Sequence, residues 1–309
     1  MSNSINNTNT STSTNISKPE QNLAKGVTLG ILTVFIGSCL SVVAKHIGDQ
    51  VTVSTIVLFQ FGICFICTMP WVKKNGLGAL KTRHPIRHSV RGVCGCLSFY
   101  AFYYALNHIP LVDAALLRHS APLIVPLIIL FWFNTAIPAI RWAALSLGFI
   151  GIAIVLKPGQ HGMSFWHLIG LLSGVGLAFS MVLTRVLSQE EPEIRILFYY
   201  FLISLIFAIP FFIINYQPIP FTALPWLLLI GFGMYFAFIP YTRAYRYAKA
   251  SVVAPTSYFS VLFAGVFDWI FWDYFPDIWT MVGVSLVLIA GFIIIKQGNE
   301  EQKAALTAQ

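Results

Sequence analysis

Apolar runs of roughly 20 residues follow one another along almost the whole chain, and a helical run of that length crosses a ~30 Å hydrocarbon layer. A bilayer offers no water to backbone N–H and C=O groups, so each run must satisfy its own hydrogen bonds as a helix. Composition agrees: 57% of the 309 residues are hydrophobic and 10% charged, against about 25% charged in soluble domains. The chain therefore reads as an all-α integral membrane protein. Spans are expected near 26–45, 52–72, 89–108, 111–133, 138–156, 165–187, 194–215, 221–247, 251–274 and 276–296. Connections are short except 73–88, which holds Lys73, Lys74, Lys81, Arg83 and Arg87, so no segment remains for an extramembrane catalytic domain. Residues 1–25 begin as an almost unbroken Ser, Thr and Asn tract and read as a disordered tail without the pattern of a signal peptide. Residues 299–309 read as a second, C-terminal tail.

The formal charge of +8 would fit a nucleic-acid partner only if the basic residues shared a soluble face, and they do not. They lie in short loops and at span ends. With the N-terminus inside, all Lys and Arg except Lys45, Lys157 and the intramembrane Arg118 fall on the cytoplasmic side. That asymmetry is a topology signal and predicts both termini in the cytoplasm of a multi-pass protein in a bacterial inner membrane. The five cysteines lie within apolar spans. Cys64 and Cys67 have CxxC spacing but no second pair or histidine partner, so no metal and no cofactor is expected.

The chain also repeats itself. The stretch 104–126, YALNHIPLVDAALLRHSAPLIVP, has a counterpart at 243–265, with Ala105 matching Ala244 and Ala115 matching Ala254. Gly30, Lys45 and Pro70 match Gly170, Arg185 and Pro210, and Gly92 matches Gly231. A nearly constant offset from end to end marks a duplication. Five spans per copy is an odd number, so the copies, 26–159 and 165–298, must lie with opposite orientation. The expected architecture is ten transmembrane helices as two inverted five-helix repeats, with a substrate site near the midplane between them.

On this layout, and on the phrases Arg91-Gly92, Tyr104-Ala105-Leu106, Ala114-Ala115, Pro122-Leu123 and Leu156-Lys157-Pro158-Gly159, the chain resembles the drug/metabolite transporter superfamily in its EamA branch. The resemblance implies a transporter whose third, fourth, eighth and ninth helices line a central cavity. Some members export amino acids, and others import metabolites such as S-adenosylmethionine. Two positions depart from the family pattern. Asn134 and Asp273-Tyr274 stand where the fourth and ninth helices often end near Glu, and Gln60 stands where importer-like members often carry Arg.

Polar groups within the bilayer are costly and mark candidate sites. Arg118 lies seven residues past Leu111, roughly 10 Å deep at ~1.5 Å per residue, and Asp268 lies at a similar depth before Tyr274. The two are expected to form a charge pair, either a substrate and proton site or a gate fastening. His119, matched by Tyr258, is a candidate for proton coupling or for a plain helix–helix hydrogen bond. Ser257, matched to Arg118, shares one helical face with Val261, Ala264, Asp268 and Trp272. Tyr100 and Tyr104 in the aromatic third helix, and the partners Gln60 and Tyr200, are further cavity candidates, with interfacial anchoring the alternative for the aromatics.

No nucleotide-binding or hydrolase motif is present. The sequence therefore predicts no catalytic residues. It predicts a secondary transporter, monomeric or homodimeric, for a small polar organic metabolite such as an amino acid or an S-adenosylmethionine-like compound. The work would come from the substrate gradient, exchange or protons. The alternative is a membrane enzyme or lipid-handling protein built on Arg118, His119 and Asp268.

Overall fold

The computed structural model describes residues 23–133, 138–156, 164–248 and 253–307. Asn134, Lys157-Pro158-Gly159, Lys249 and most of the Ser/Thr/Asn-rich tail lie outside the described residues. The helices are α1 (Leu23–His46), α2 (Val53–Asn75), α3 (Pro85–Leu106), α4 (Leu111–Arg118), α5 (Ala121–Phe133), α6 (Ala139–Leu156), α7 (Phe165–Glu190), α8 (Glu193–Ile214), α9 (Leu224–Tyr247), α10 (Phe259–Trp272) and α11 (Ile278–Thr307). The helices α4 and α5 form one crossing. A 3-10 turn at Ala254–Tyr258 and α10 form its repeat partner, which gives ten crossings. The stretch read as a C-terminal tail continues α11 as far as Thr307.

Helix ends follow local chemistry. Thr52 caps α2 by accepting the Thr55 N–H at 3.3 Å, and Ser164 caps α7 in a reciprocal pair with His167. After α10, Asp273 takes a left-handed conformation (φ 48°), and the Tyr274 N–H turns back to the Asp268 carbonyl at 3.1 Å. Asp tolerates that region because its short polar side chain bonds locally.

Packing reveals the duplication more sharply than the sequence does. The helix α3 lies on α7 as α9 lies on α1, α2 meets α9 as α8 meets α3, and α2–α8, α4–α10 and α6–α11 pair across the axis. The equivalence reaches single contacts. A Cβ on Gly92 would come within 2.6 Å of Ile203, and one on Gly231 within 2.4 Å of Ile63. Ile63 and Ile203 are themselves repeat partners. Ser204 Oγ donates to the Gly92 carbonyl at 3.3 Å, and its partner Cys64 donates through Sγ to the Gly231 carbonyl at 3.4 Å.

An interruption within the fourth crossing decides where the site lies. Pro122 has no N–H to give the Arg118 carbonyl, and Ser120 Oγ instead donates to the Leu117 carbonyl at 2.7 Å. The chain therefore breaks at His119-Ser120, where the sequence was read as one continuous span. Gly174 of α7 fits against the break: a Cβ there would meet the Leu117 carbonyl oxygen at 2.5 Å.

Candidate functional site

Both halves contribute to a cavity of about 140 Å³ beside this break. Its walls come from α3, α4, α9 and the Ala254–Tyr258 turn with α10, with further surface from α1, α7 and α8. Aromatic faces dominate, among them Phe99, Phe102, Tyr103, Tyr200, Phe238 and Tyr241. Ser38, Ser98, Ser180, Ser257 and Ser260 supply small hydroxyls.

Arg118 is the cation of this cavity. It is 6% exposed, and its Nη1 donates to the Ser98 carbonyl at 3.0 Å and to Ser98 Oγ at 2.9 Å. The guanidinium lies 4.2 Å from the Phe99 ring centroid and 4.8 Å from that of Phe102, a cation–π seat that fixes its plane. Beside it, His119 lines the cavity, and its Nδ1 is buried without a partner. Ser260 Oγ, on the opposing α10, is likewise buried and unpartnered. Tyr200 forms a wall with Arg91 behind it, 4.2 Å from the ring centroid. Arg91 is 1% exposed and held by Thr184 Oγ1 at 2.7 Å; read from sequence as a helix-end topology charge, it points inward.

The expected Arg118–Asp268 pair is not formed. Asp268 is fully buried and bonds Lys45 Nζ at 3.2 Å and the Val112 N–H at 2.7 Å. Its carboxylate thus sits at the positive end of α4 and ties α1, α4 and α10 together just beyond the cavity residues Leu111 and Ala264. Lys45 also lies 4.6 Å from the Trp272 ring centroid. On the same end, His167 Nε2 is 3.8 Å from Asp113 Oδ2.

The remaining candidates separate. Ser257 and Tyr200 line the cavity. Gln60 stands one layer back, accepting the Tyr103 hydroxyl. Tyr258 turns away and packs on Gly291 of α11, Tyr100 packs on Phe211 of α8 at 5.2 Å between centroids, and Tyr104 is 37% exposed outside the cavity. These three do not meet the site. Sequence reasoning missed Lys45, whose place in the last turn of α1 read only as topology, and Ser98, which no pattern marked as the partner of Arg118.

At the opposite end the two halves are joined by polar contacts. Glu191 accepts from Thr82, and His88 Nε2 lies 2.8 Å from its carboxylate. Burial works against the Glu191 charge, yet the hydrogen bonds from Thr82 and His88 outweigh it and hold the carboxyl below its ordinary range. Within the second half, Arg185 Nη1 donates to the Tyr245 carbonyl at 2.6 Å. Among the described residues no group of His, Cys, Asp and Glu has the arrangement of a metal site.

A family model described as the EamA-like transporter family matches residues 24–157 and 164–296. The pseudopaline exporter CntI of Pseudomonas aeruginosa is 30% identical over 87% of this chain and 95% of its own length. The S-adenosylmethionine uptake transporter of Rickettsia bellii is 25% identical over 87% and 93%. The riboflavin transporter of Rhizobium johnstonii is 28% identical over 80% and 82%. A solved crystal structure of a protein 14% identical in sequence has a TM-score of 0.64, over 87% of this chain and 96% of that one.

Proposed function

Because the chain belongs to the EamA-like transporter family, we propose that it is a secondary transporter moving a small polar organic metabolite across a bacterial inner membrane by alternating access. The observation that carries this reading is the cavity itself. It lies between two inverted halves, both halves wall it, and a buried ion pair sits just beyond it at one end. Amino acids and S-adenosylmethionine-like compounds are the substrates to try first. Both termini sit in the cytoplasm in this reading, which puts the Lys45 end on the outer side. His119, unpartnered at the break, is the group placed to couple a proton to the substrate.

The competing site, an enzyme or lipid-handling centre on Arg118, His119 and Asp268, lacks support. Arg118 and His119 share the cavity, whereas Asp268 is spent on Lys45 and Val112.

The test is counterflow in proteoliposomes with labelled amino acids and S-adenosylmethionine. Saturable exchange that is lost in Arg118→Ala and in Asp268→Ala is the expected result. Wild-type exchange in both variants would refute the reading. Exchanging the charges between Arg118 and Asp268 restores nothing, because the two do not touch.

A further inference from the structure

The cavity holds a buried cation with no counter-ion. Arg118 has five N–H donors. Only Nη1 is engaged, by Ser98. Among the described residues its Nε and Nη2 have no partner, and they are not among the sealed-off unpartnered atoms either, so they open onto the cavity. Among the described residues, no carboxylate lines that space. The nearest buried acid along α10, Asp268, is already neutralised by Lys45 and the α4 N-terminus. A second buried guanidinium, Arg91, stands behind the Tyr200 wall, also without an acidic partner. An unneutralised buried charge is expensive, and the free Nε/Nη2 edge of a guanidinium matches the two oxygens of a carboxylate.

From this geometry we infer that the transported species is a small carboxylate with a flat apolar body and no cationic group, which keeps the transport reading but replaces amino acids and S-adenosylmethionine as its substrate class. The carboxylate takes the Nε/Nη2 edge of Arg118. The body lies against Phe238 and Tyr200, which line the same space. The volume of about 140 Å³ is below the ~300–1,000 Å³ of drug-sized pockets, so the substrate is small. An ammonium group would find hydroxyls and aromatic faces but no anion, while carrying the same sign as Arg118.

The inference rests on this cavity being the transport site, but its test is binding and needs no transport. Purified wild-type protein in detergent is titrated with 3-phenylpropionate, phenylalanine and phenethylamine, which share one ring and differ in charge, and its melting temperature is followed. The expected order of stabilisation is carboxylate first, zwitterion second, and no shift with the amine. In Arg118→Gln the half-saturating concentration of 3-phenylpropionate rises ~10- to 100-fold, the loss of a charge-assisted pair. In Arg118→Lys the response weakens but keeps its order. The ligand-free melting temperature of Arg118→Gln is unchanged or raised, because an unpaired buried charge has gone; a merely structural arginine would lower it. Stabilisation by phenethylamine equal to or above that by 3-phenylpropionate overturns the inference without any variant, and so does an unaltered response in Arg118→Gln. Carboxylate binding with no counterflow of labelled 3-phenylpropionate in proteoliposomes would retain the binding site and sink the transport reading instead.

Discussion

Lys45 of α1 and Arg185 of α7 occupy equivalent places in the two repeats, and the two ends of the molecule they serve are built differently. Lys45 meets a fully buried carboxylate, Asp268, which also holds the first turn of α4. Among the described residues Arg185 meets only neutral carbonyls near the end of α9, those of Tyr245 at 2.6 Å and Ala248 at 3.4 Å. The repeat counterpart of Asp268 is Ile129, so a single acid separates the two arrangements. A buried ion pair is close to all-or-none, since losing one member strands the other. Carbonyls at a helix end lose only one of several donors. The Lys45 end therefore works as a latch. The other end is held by many modest contacts, including Arg87–Glu190, His88–Glu191 and Arg243–Glu193.

The sharpest way to break this comparison is Lys45→Met. It leaves Asp268 buried with only a backbone N–H, and the expected loss is about 3 kcal/mol, seen as a lower melting temperature together with loss of counterflow. The exchanged pair Lys45→Asp with Asp268→Lys does not recover it, because a lysine at 268 would face the positive end of α4. Recovery in the exchanged pair would show that the latch is a simple two-charge contact independent of α4.

A second experiment asks whether the equivalence between halves is energetic as well as geometric. Gly92→Ala and Gly231→Ala each push a methyl into a partnered isoleucine, Ile203 and Ile63. Both should cost about 1–3 kcal/mol, the range for overpacking, and the two melting temperatures should fall by similar amounts. A loss confined to one variant would mean that one half tolerates repacking and the other does not.

How much of this could be read from the sequence depends on what each signal encodes. The crossings and the duplication were legible because hydropathy and residue spacing are local properties of the chain. The stripe Ser257–Val261–Ala264–Asp268 suggested a cavity-facing Asp268; Ser257 and Ala264 line the cavity, whereas Asp268, one turn further on, is buried just beyond it. Its partner was misassigned for a definite reason. Depth below the boundary was matched for Arg118 and Asp268, but depth says nothing about rotation about each helix axis, and Arg118 turns to Ser98 on α3. Tyr258 shows the same gap in reverse: it follows Ser257 directly, so it points about 120° away at roughly three residues per turn of the 3-10 helix, toward Gly291. The break at His119-Ser120 was half visible in Pro122. What closes it, the Ser120 cap and the approach of Gly174, comes from contacts no periodicity reports.

Arg185→Gln probes the weaker member of the pair of ends. It removes donors from neutral carbonyls at a partly exposed site, so the expected cost is about 1 kcal/mol, clearly less than for Lys45→Met. A loss as large as that of Lys45→Met would erase the distinction between latch and distributed contacts.

The smallest effect belongs to Glu191, among those distributed contacts. Its carboxyl is held below the ordinary value of 4.5 by Thr82 and His88, so the folded protein binds its proton less readily than the unfolded chain. The stabilisation this supplies is complete above that ordinary value and is lost as pH falls through the folded value. Glu191→Gln keeps an acceptor for Thr82 but has no charge to titrate. Melting temperatures of the two proteins should therefore run parallel at neutral pH, wild type slightly higher, and converge as the solution is acidified below the ordinary carboxylate range. Other carboxylates titrate there too, but they do so in both proteins, and the difference between the two curves isolates Glu191. A gap that stays constant on acidification would show that Glu191 joins the halves by hydrogen bonding alone, with its charge contributing nothing.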